Sequence, residues 1–456
     1  MKTFLITTLG CRVNQSESEA LAAALEGVGL IPNPDPCAVD LCIINTCAVT
    51  SKAAMQSRQA VRRMIRSHAG ARIIVTGCNA QVAFEEMASI PGVDAVILQS
   101  EKERLPDIVS EMRKNSRPAP EGMQLPENRR PCRSSVDPIH FKNRARPYLK
   151  IQDGCNAVCT YCIVPRARGP GRSLPPPTVL QRLRQLKDAG YPEAVLTGIH
   201  LGSYGSDLEN GMGLVDLLQE ITSSNAPERI RLSSIEPNEL PDALIELAAA
   251  SKTGPTRICP HFHLPLQSGD DAILRRMGRP YNREMYRDRV LKILSVLPES
   301  AVGADVMAGF PGETESAFER TLSFVESLPL AYLHVFPFSP RPGTPAARFR
   351  DRVDSRTIRN RCRRLRDIGR AKRARFYAAA LGQTVDLVME RKTRFQTGFC
   401  RGISDTYIPV WLKSDTLPAG MTATARIDRV EGSFKVFGTV VQENALTGTL
   451  PVRPDF

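Results

Sequence analysis

No apolar run in this chain approaches the roughly 18 residues that a bilayer-spanning helix needs, so no membrane partner is expected. The opening stretch Met1-Lys-Thr-Phe-Leu-Ile-Thr-Thr-Leu-Gly-Cys11 has one positive charge and a short apolar run. It continues into polar Arg12-Val-Asn-Gln-Ser-Glu17 without the small-residue cleavage site of a secretory signal, and reads as a first β-strand. Internal repeats and low-complexity tracts are missing too. Cysteine is scarce for a disulfide scaffold, with twelve in 456 residues. Their partial clustering instead points to metal in a reducing compartment, so a cytoplasmic location is expected. What remains is a chain long enough for two to four domains with proper cores, of ordinary composition at 42% hydrophobic and 24% charged.

The most informative stretch is Ile151-Gln-Asp-Gly-Cys155-Asn-Ala-Val-Cys159-Thr-Tyr-Cys162-Ile-Val-Pro165. Its C-x3-C-x2-C spacing follows an apolar run that reads as a strand, so three thiolates can converge from one tight loop. A closed zinc site or an ordinary ferredoxin cluster takes four protein ligands. Three cysteines on a four-iron cluster leave one iron open, which suggests catalysis; zinc on Cys155, Cys159 and Cys162 is the competing reading.

Residues 1–111 alternate short strands (3–8, 41–45, 72–76 and a weaker 95–98) with helices (17–25 and 52–67), the pattern of an open parallel α/β sheet. Cys11, Cys47 and Cys78 each lie just beyond the C-terminal end of a strand, the edge where such sheets place ligands. Cys42 sits inside the second strand, where packing is the expected role. Residues 112–140 turn to Arg, Pro, Ser and Asn and read as a linker, with Cys37 in an earlier loop and Cys132 in the linker left without a role.

Residues 141–377 suit a partial (β/α)6 barrel, with strands at 148–152, 194–197, 229–235, 261–265, 303–307 and 332–336. Polar or glycine-rich residues follow nearly every strand and would gather at one mouth, where such folds carry their sites. His261 and His263 share one face of a strand; a metal pair is geometrically possible, and hydrogen bonding inside the barrel is the preferred reading. From Arg341 to Arg375 fourteen Arg and Lys stand against three Asp, a net +11 within a total of +13. Such a patch points to a polyanion, nucleic acid above all, or to a solvated helix face. That basic segment, 348–377, is expected to be helical, with Ile358, Leu365, Ile368 and Phe376 inward. Residues 378–446 change to period two, with strands at 384–389, 395–399, 407–411, 421–426 and 433–439, and read as a small all-β, OB-like barrel.

C-x3-C-x2-C with an aromatic, Tyr161, before the last cysteine resembles the radical S-adenosylmethionine superfamily. The resemblance implies a [4Fe-4S] cluster at Cys155, Cys159 and Cys162 whose open iron takes the methionyl part of S-adenosylmethionine, and reductive cleavage to a 5′-deoxyadenosyl radical. It also implies cofactor contacts at Tyr161, Gly198, Ser233, Ser234, Glu236, Gln267, Gly309 and Pro311. With its three-cysteine N-terminal domain and terminal barrel, the chain resembles the methylthiotransferase family, whose members carry a radical S-adenosylmethionine barrel and a TRAM barrel. That resemblance assigns a second [4Fe-4S] cluster to Cys11, Cys47 and Cys78, where the sulfur to be transferred is carried.

Thr8-Leu-Gly-Cys-Arg-Val-Asn-Gln15, Arg231-Leu-Ser-Ser-Ile-Glu-Pro237 and His261-Phe-His-Leu-Pro-Leu-Gln-Ser-Gly269 are similar to the MtaB type of that family. That type adds a methylthio group to C2 of N6-threonylcarbamoyladenosine beside the tRNA anticodon. The implied partners are the anticodon arm of tRNA, an electron donor protein and a sulfur source that the sequence does not name. The rival readings are methylthiolation of isopentenyladenosine or of a protein side chain, and an iron–sulfur RNA-binding protein without catalysis. One departure stands out: after Arg168-Gly-Pro-Gly-Arg-Ser173 the family generally has Arg, and this chain has Leu174.

Overall fold

A computed structural model describes residues 1–33, 39–114, 144–209, 211–390, 398–414, 417–432 and 434–444. The first sheet contains β1 (Thr3–Thr8), β2 (Ile31–Pro32), β3 (Leu41–Thr46), β4 (Arg72–Gly77) and β5 (Ala95–Val96), all parallel in the order β2-β1-β3-β4-β5. Period-two alternation sends Leu41, Ile43 and Ile74 to one buried layer and Cys42, Ile44, Ile73 and Val75 to the other. The helices α1 (Arg12–Gly27), α2 (Ser51–Ser67), α3 (Cys78–Val82), α4 (Phe84–Ala88) and α5 (Leu105–Lys114) complete this unit. Cys42 is buried at 1% exposure, as a small apolar thiol should be. Helix α1 begins directly after Cys11, five residues earlier than the periodicity indicated, and α5 runs past the expected boundary at 111. Cys37, Cys132 and nearly all of the expected linker lie outside the described residues.

The central unit comprises β6 (Tyr148–Lys150), β7 (Gln152–Asp153), α6 (Val164–Arg168), β8 (Arg172–Ser173), α7 (Pro176–Asp188), β9 (Glu193–Thr197), α8 (Leu214–Ser223), β10 (Arg229–Leu232), α9 (Asp242–Ala250), β11 (Arg257–Ile258), β12 (His261–Gln267), α10 (Asp271–Arg276), α11 (Arg283–Val296), β13 (Ala301–Ala308), α12 (Glu315–Ser327) and β14 (Tyr332–Pro337). All six expected strands are present, in two parallel arcs, β11-β10-β9-β6 and β12-β13-β14; β7 and β8 pair apart. The two-residue β11, too short to show in a periodicity, is an addition. A backbone bond from Ile235 N–H to His263 O at 3.0 Å ties the arcs together.

Helix α13 (Ser355–Ala379) follows, capped by Asp354, whose carboxylate accepts from the N–H groups of Arg356 and Thr357. It starts seven residues later than expected. Leu365 and Cys362 are buried against the barrel with Ile358 and Ile368 beside them, and Phe376 packs instead on the C-terminal core. The last unit is a closed barrel of β15 (Thr384–Met389), β16 (Phe399–Ser404), β17 (Pro409–Lys413), β18 (Thr422–Glu431) and β19 (Lys435–Asn444). The strand expected at 395–399 begins only at Phe399, and residues 391–397 lie outside the described residues. Strands expected at 407–411, 421–426 and 433–439 begin one or two residues later, and the last two run longer. Among the described residues no helix is long and apolar enough to cross a membrane.

Candidate active site between two cysteine trios

The loop from β7 into α6 carries Cys155, Cys159 and Cys162. It is pinned at both ends, by Cys155 N–H to Gly169 O at 3.1 Å and by Thr160 N–H to Met277 O at 2.9 Å. Each sulfur has a polar neighbour. Ala157 N–H donates to Cys155 Sγ at 3.4 Å, Val164 N–H to Cys162 Sγ at 3.5 Å, and Arg279 Nη1 to Cys159 Sγ at 3.2 Å. His200 Nδ1 lies 3.4 Å from Cys155 Sγ, while its Nε2 pairs with Glu239 at 2.9 Å.

Burial pushes the Cys162 thiol up to about 12 and the Cys47 thiol up to about 11. Thiols displaced so far ionise only beside a strong positive charge, which is what a bound metal cluster supplies. Tetrahedral zinc, with bonds near 2.3 Å, would draw its sulfurs to roughly 3.8 Å from one another. The described group that closes to within 4.8 Å is His263, Asp305 and His334, and neither cysteine trio does so. Both trios therefore suit a cluster of several atoms better than a single ion.

Cys11, Cys47 and Cys78 meet at the C-terminal edge of the first sheet, Cys47 and Cys78 buried and Cys11 exposed. Gly10, with φ +103°, permits this approach, because a Cβ there would sit 2.8 Å from that of Cys47. Arg168, at the end of α6, reaches the N-terminal trio. Its Nε donates to Cys78 Sγ at 3.2 Å, its Nη1 to Glu17 and Asp153 at 2.8 Å each, and its Nη2 to Asn14 at 2.5 Å. Glu17 in turn receives Lys102 at 2.6 Å and Lys150 at 2.9 Å. Burial alone would raise the Glu17 pKa, but Lys150, Lys102 and Arg168 hold it well below the usual carboxylate range.

The expected cofactor contacts divide. Tyr161 packs edge-on against Phe310, with ring centroids 6.4 Å apart, and its hydroxyl accepts from Arg279 at 3.4 Å. A Cβ at Gly198 would lie 3.0 Å from Gln152, a tight approach that glycine relieves at that strand end. Ser233 Oγ and Gln267 Oε1 are buried without a hydrogen-bond partner among the described residues, as groups awaiting ligand hydroxyls or amines would be. Gln267 also holds a φ of +67°, a strained backbone in a position suited to ligand contact. Ser234 is exposed and Pro311 buried. Two of the expected contact residues have neighbours within the chain. The Glu236 carboxylate is engaged by Arg279, and Gly309, φ +80°, accommodates Ile358 of α13, which a Cβ would meet at 2.3 Å.

Sequence reading missed Arg168, Arg279 and Glu17 as site residues, and Arg341, which is buried within electrostatic reach of Cys47. Nothing in local spacing marks them, since each acts across a domain boundary or from a distant strand end. Both histidines of β12 hydrogen-bond inside the barrel, and among the described residues His261 does so through Nε2 alone. Tyr332 OH lies 2.8 Å from His261 Nε2 and 3.1 Å from His263 Nδ1, and His263 Nε2 pairs with Asp305 at 2.9 Å. Asp305 and His334, remote in sequence, do stand beside them. Leu174 packs against the barrel core, while its backbone bonds Ile151 O at 2.8 Å and the Tyr204 hydroxyl at 2.6 Å. In this chain that position is filled by packing, with no charge on it.

The basic helix is less free than its charge suggests. Arg361 is buried on Glu313 and Glu315, Arg364 pairs with Glu315 and Glu319, and Arg370 with Asp367. Arg356, Arg359, Arg363 and Arg375 are exposed, with no acidic partner among the described residues.

Residues 3–98 match the model of Uncharacterized protein family UPF0004, and residues 149–325 that of the Radical SAM superfamily. The chain is similar to the threonylcarbamoyladenosine tRNA methylthiotransferase MtaB of Bacillus subtilis, 38% identical over 91% of each chain. It is 36% identical to its namesake from Thermotoga maritima, again over 91% of each. A tRNA-2-methylthio-N(6)-dimethylallyladenosine synthase of Clostridium botulinum is 34% identical over 85% of this chain and 86% of that one. In fold, the chain is similar to the radical S-adenosylmethionine methyltransferase TsrM of Kitasatospora setae, solved with cobalamin and a [4Fe-4S] cluster bound. The TM-score is 0.54 at 14% identity, covering 76% of this chain and 74% of that one.

Proposed function

We propose, from the premise that this chain belongs to the tRNA methylthiotransferase family, that it adds a methylthio group to C2 of N6-threonylcarbamoyladenosine beside the anticodon of tRNA. The observation that carries the proposal is Arg168. Six residues past Cys162, it donates to Cys78 Sγ, which supports reading the two cysteine trios as parts of one site. Cys155, Cys159 and Cys162 would hold one [4Fe-4S] cluster and Cys11, Cys47 and Cys78 a second. Bound at the first, S-adenosylmethionine supplies one-electron chemistry, which an adenine C2 requires because it is neither acidic nor electrophilic enough for acid/base activation.

The chain's own groups do the rest. Tyr161, Gly198, Ser233 and Gln267 orient the cofactor at the barrel mouth. Arg279 fixes Cys159 and Tyr161 together, and Arg168 holds the sulfur-bearing edge against the barrel. An electron donor protein and a source of sulfur are required in addition. Iron and sulfide analysis of the reconstituted protein, with mass spectrometry of a threonylcarbamoylated anticodon stem-loop after incubation, tests the reading. Eight irons per chain are the expected result, and a methylthio product must appear.

The exposed arginines of α13 and the terminal barrel would hold the anticodon arm through its phosphates. If Arg356, Arg359, Arg363 and Arg375 each neutralise one phosphate, the logarithm of affinity should fall against that of salt with a slope of about −3. A fluorescence anisotropy titration measures it, and an affinity indifferent to salt would remove the RNA role of this helix.

A further inference from the structure

Arg12 occupies the place next to Cys11, yet its side chain leaves the first domain. Its Nη2 donates to Tyr407 OH of the terminal barrel at 3.1 Å, and its guanidinium lies 5.7 Å from the Tyr148 ring centroid and 5.8 Å from that of Tyr407. Three domains thus meet at one cation. Nearby carboxylates are already committed: Glu193 to Arg146, Arg229 and Arg231, Glu390 to Arg146 and Arg401, Asp305 to His263 and His334. Arg12 has no acidic partner among the described residues.

A second unmatched group stands beside it. The His261 ring stacks on Tyr407 at 4.6 Å, is buried at 2% exposure, and bonds Tyr332 through Nε2, while its Nδ1 has no partner among the described residues. Tyr407 itself, which both groups touch, holds a φ of +68°, strained for a residue with a side chain.

We propose that Arg12, with Tyr407 and the Nδ1 of His261, binds the carboxylated amino-acid substituent on N6 of the target adenosine and so distinguishes it from an apolar N6 substituent. This inference rests on the functional reading above and names the groups that select its substrate. A guanidinium presents a planar pair of donors that matches a carboxylate. The aromatic rings on either side hold it in place. His261 Nδ1 can pair with the substituent's N–H or hydroxyl. An apolar substituent would leave both groups unpaired, the situation by which polar sites reject analogues most strongly. Because Arg12 adjoins Cys11, anchoring the substituent also fixes the base relative to the sulfur-bearing trio.

The anion could instead be an RNA phosphate, and the test separates the two. Reconstituted wild-type and R12Q protein are compared on an anticodon stem-loop carrying N6-threonylcarbamoyladenosine and on one carrying its neutral carboxamide, by kcat/KM for methylthio product and by anisotropy. Wild type should prefer the acid by on the order of 10- to 100-fold, the worth of a hydrogen bond to a charged group. R12Q should lose that factor on the acid and far less on the carboxamide, so that the preference disappears, and R12K should recover part of it. Equal losses on both RNAs would overturn the proposal in favour of a phosphate contact or a structural role, as would a wild type indifferent to the carboxamide. Absence of product from wild type on either RNA would sink the functional reading instead, and the affinities would still decide the role of Arg12.

Discussion

Replacing Cys155 by alanine should reduce formation of 5′-deoxyadenosine from S-adenosylmethionine to background, a fall of at least about a thousandfold, as when a group essential to the chemical step is removed. Iron content should halve at the same time. Cys47→Ala should divide the two functions: it leaves 5′-deoxyadenosine formation in place and abolishes methylthio transfer, because Cys47 belongs with Cys11 and Cys78 at the edge of the first sheet and is not one of the three thiols of the C-x3-C-x2-C loop. Cys42→Ala, a substitution in the packed interior of that sheet, should keep both. High-performance chromatography of 5′-deoxyadenosine beside mass spectrometry of the RNA reads all three. A Cys155→Ala protein that still cleaves the cofactor contradicts the assignment of that loop.

The second large effect is expected at Glu17. Its carboxylate is the shared partner of Lys102, Lys150 and Arg168, and among the described residues only one other carboxylate, Asp153, helps to balance them. Glu17→Gln leaves cations buried without their counter-ion, a change that costs about 3–5 kcal/mol. Because these cations come from both sides of the junction, the loss should appear as separation of the first sheet from the barrel. It can be followed as a lower urea midpoint for loss of the cluster absorbance. An unchanged midpoint would mean that Glu17 is not the hub. Acid should act in the same direction. The folded-state pKa of Glu17 lies below its unfolded value, near 4.3, so the stability it gives is complete above that pH and is lost as pH falls toward the folded value.

The parts legible in the sequence were those encoded locally. Three cysteines within eight residues declare a site whatever surrounds them, and Cys11, Cys47 and Cys78 were found because a parallel sheet places successive strand ends on one edge. The six barrel strands and the terminal barrel followed from hydrophobic period. Register-free contacts were not legible. Arg168 ends α6, and only the packing of that helix against α3, which begins at Cys78, brings it to the thiol. Arg279 reaches Cys159 from the segment between α10 and α11, 120 residues later in the chain. The Arg279 partner of Glu236 lies 43 residues away, and α13, which Gly309 accommodates, packs back from later in the chain, so neither contact shows in the local sequence. The net +11 of the basic segment likewise said nothing of Arg361, whose acidic partners lie on and just before α12.

The most direct test of the central claim is mass spectrometry of tRNA nucleosides from a host that lacks any such enzyme, with and without this chain expressed. The account predicts that 2-methylthio-N6-threonylcarbamoyladenosine appears at the expense of N6-threonylcarbamoyladenosine, and that it fails to appear with Cys155→Ala. An unchanged nucleoside profile, or methylthiolation confined to isopentenyladenosine, would contradict it.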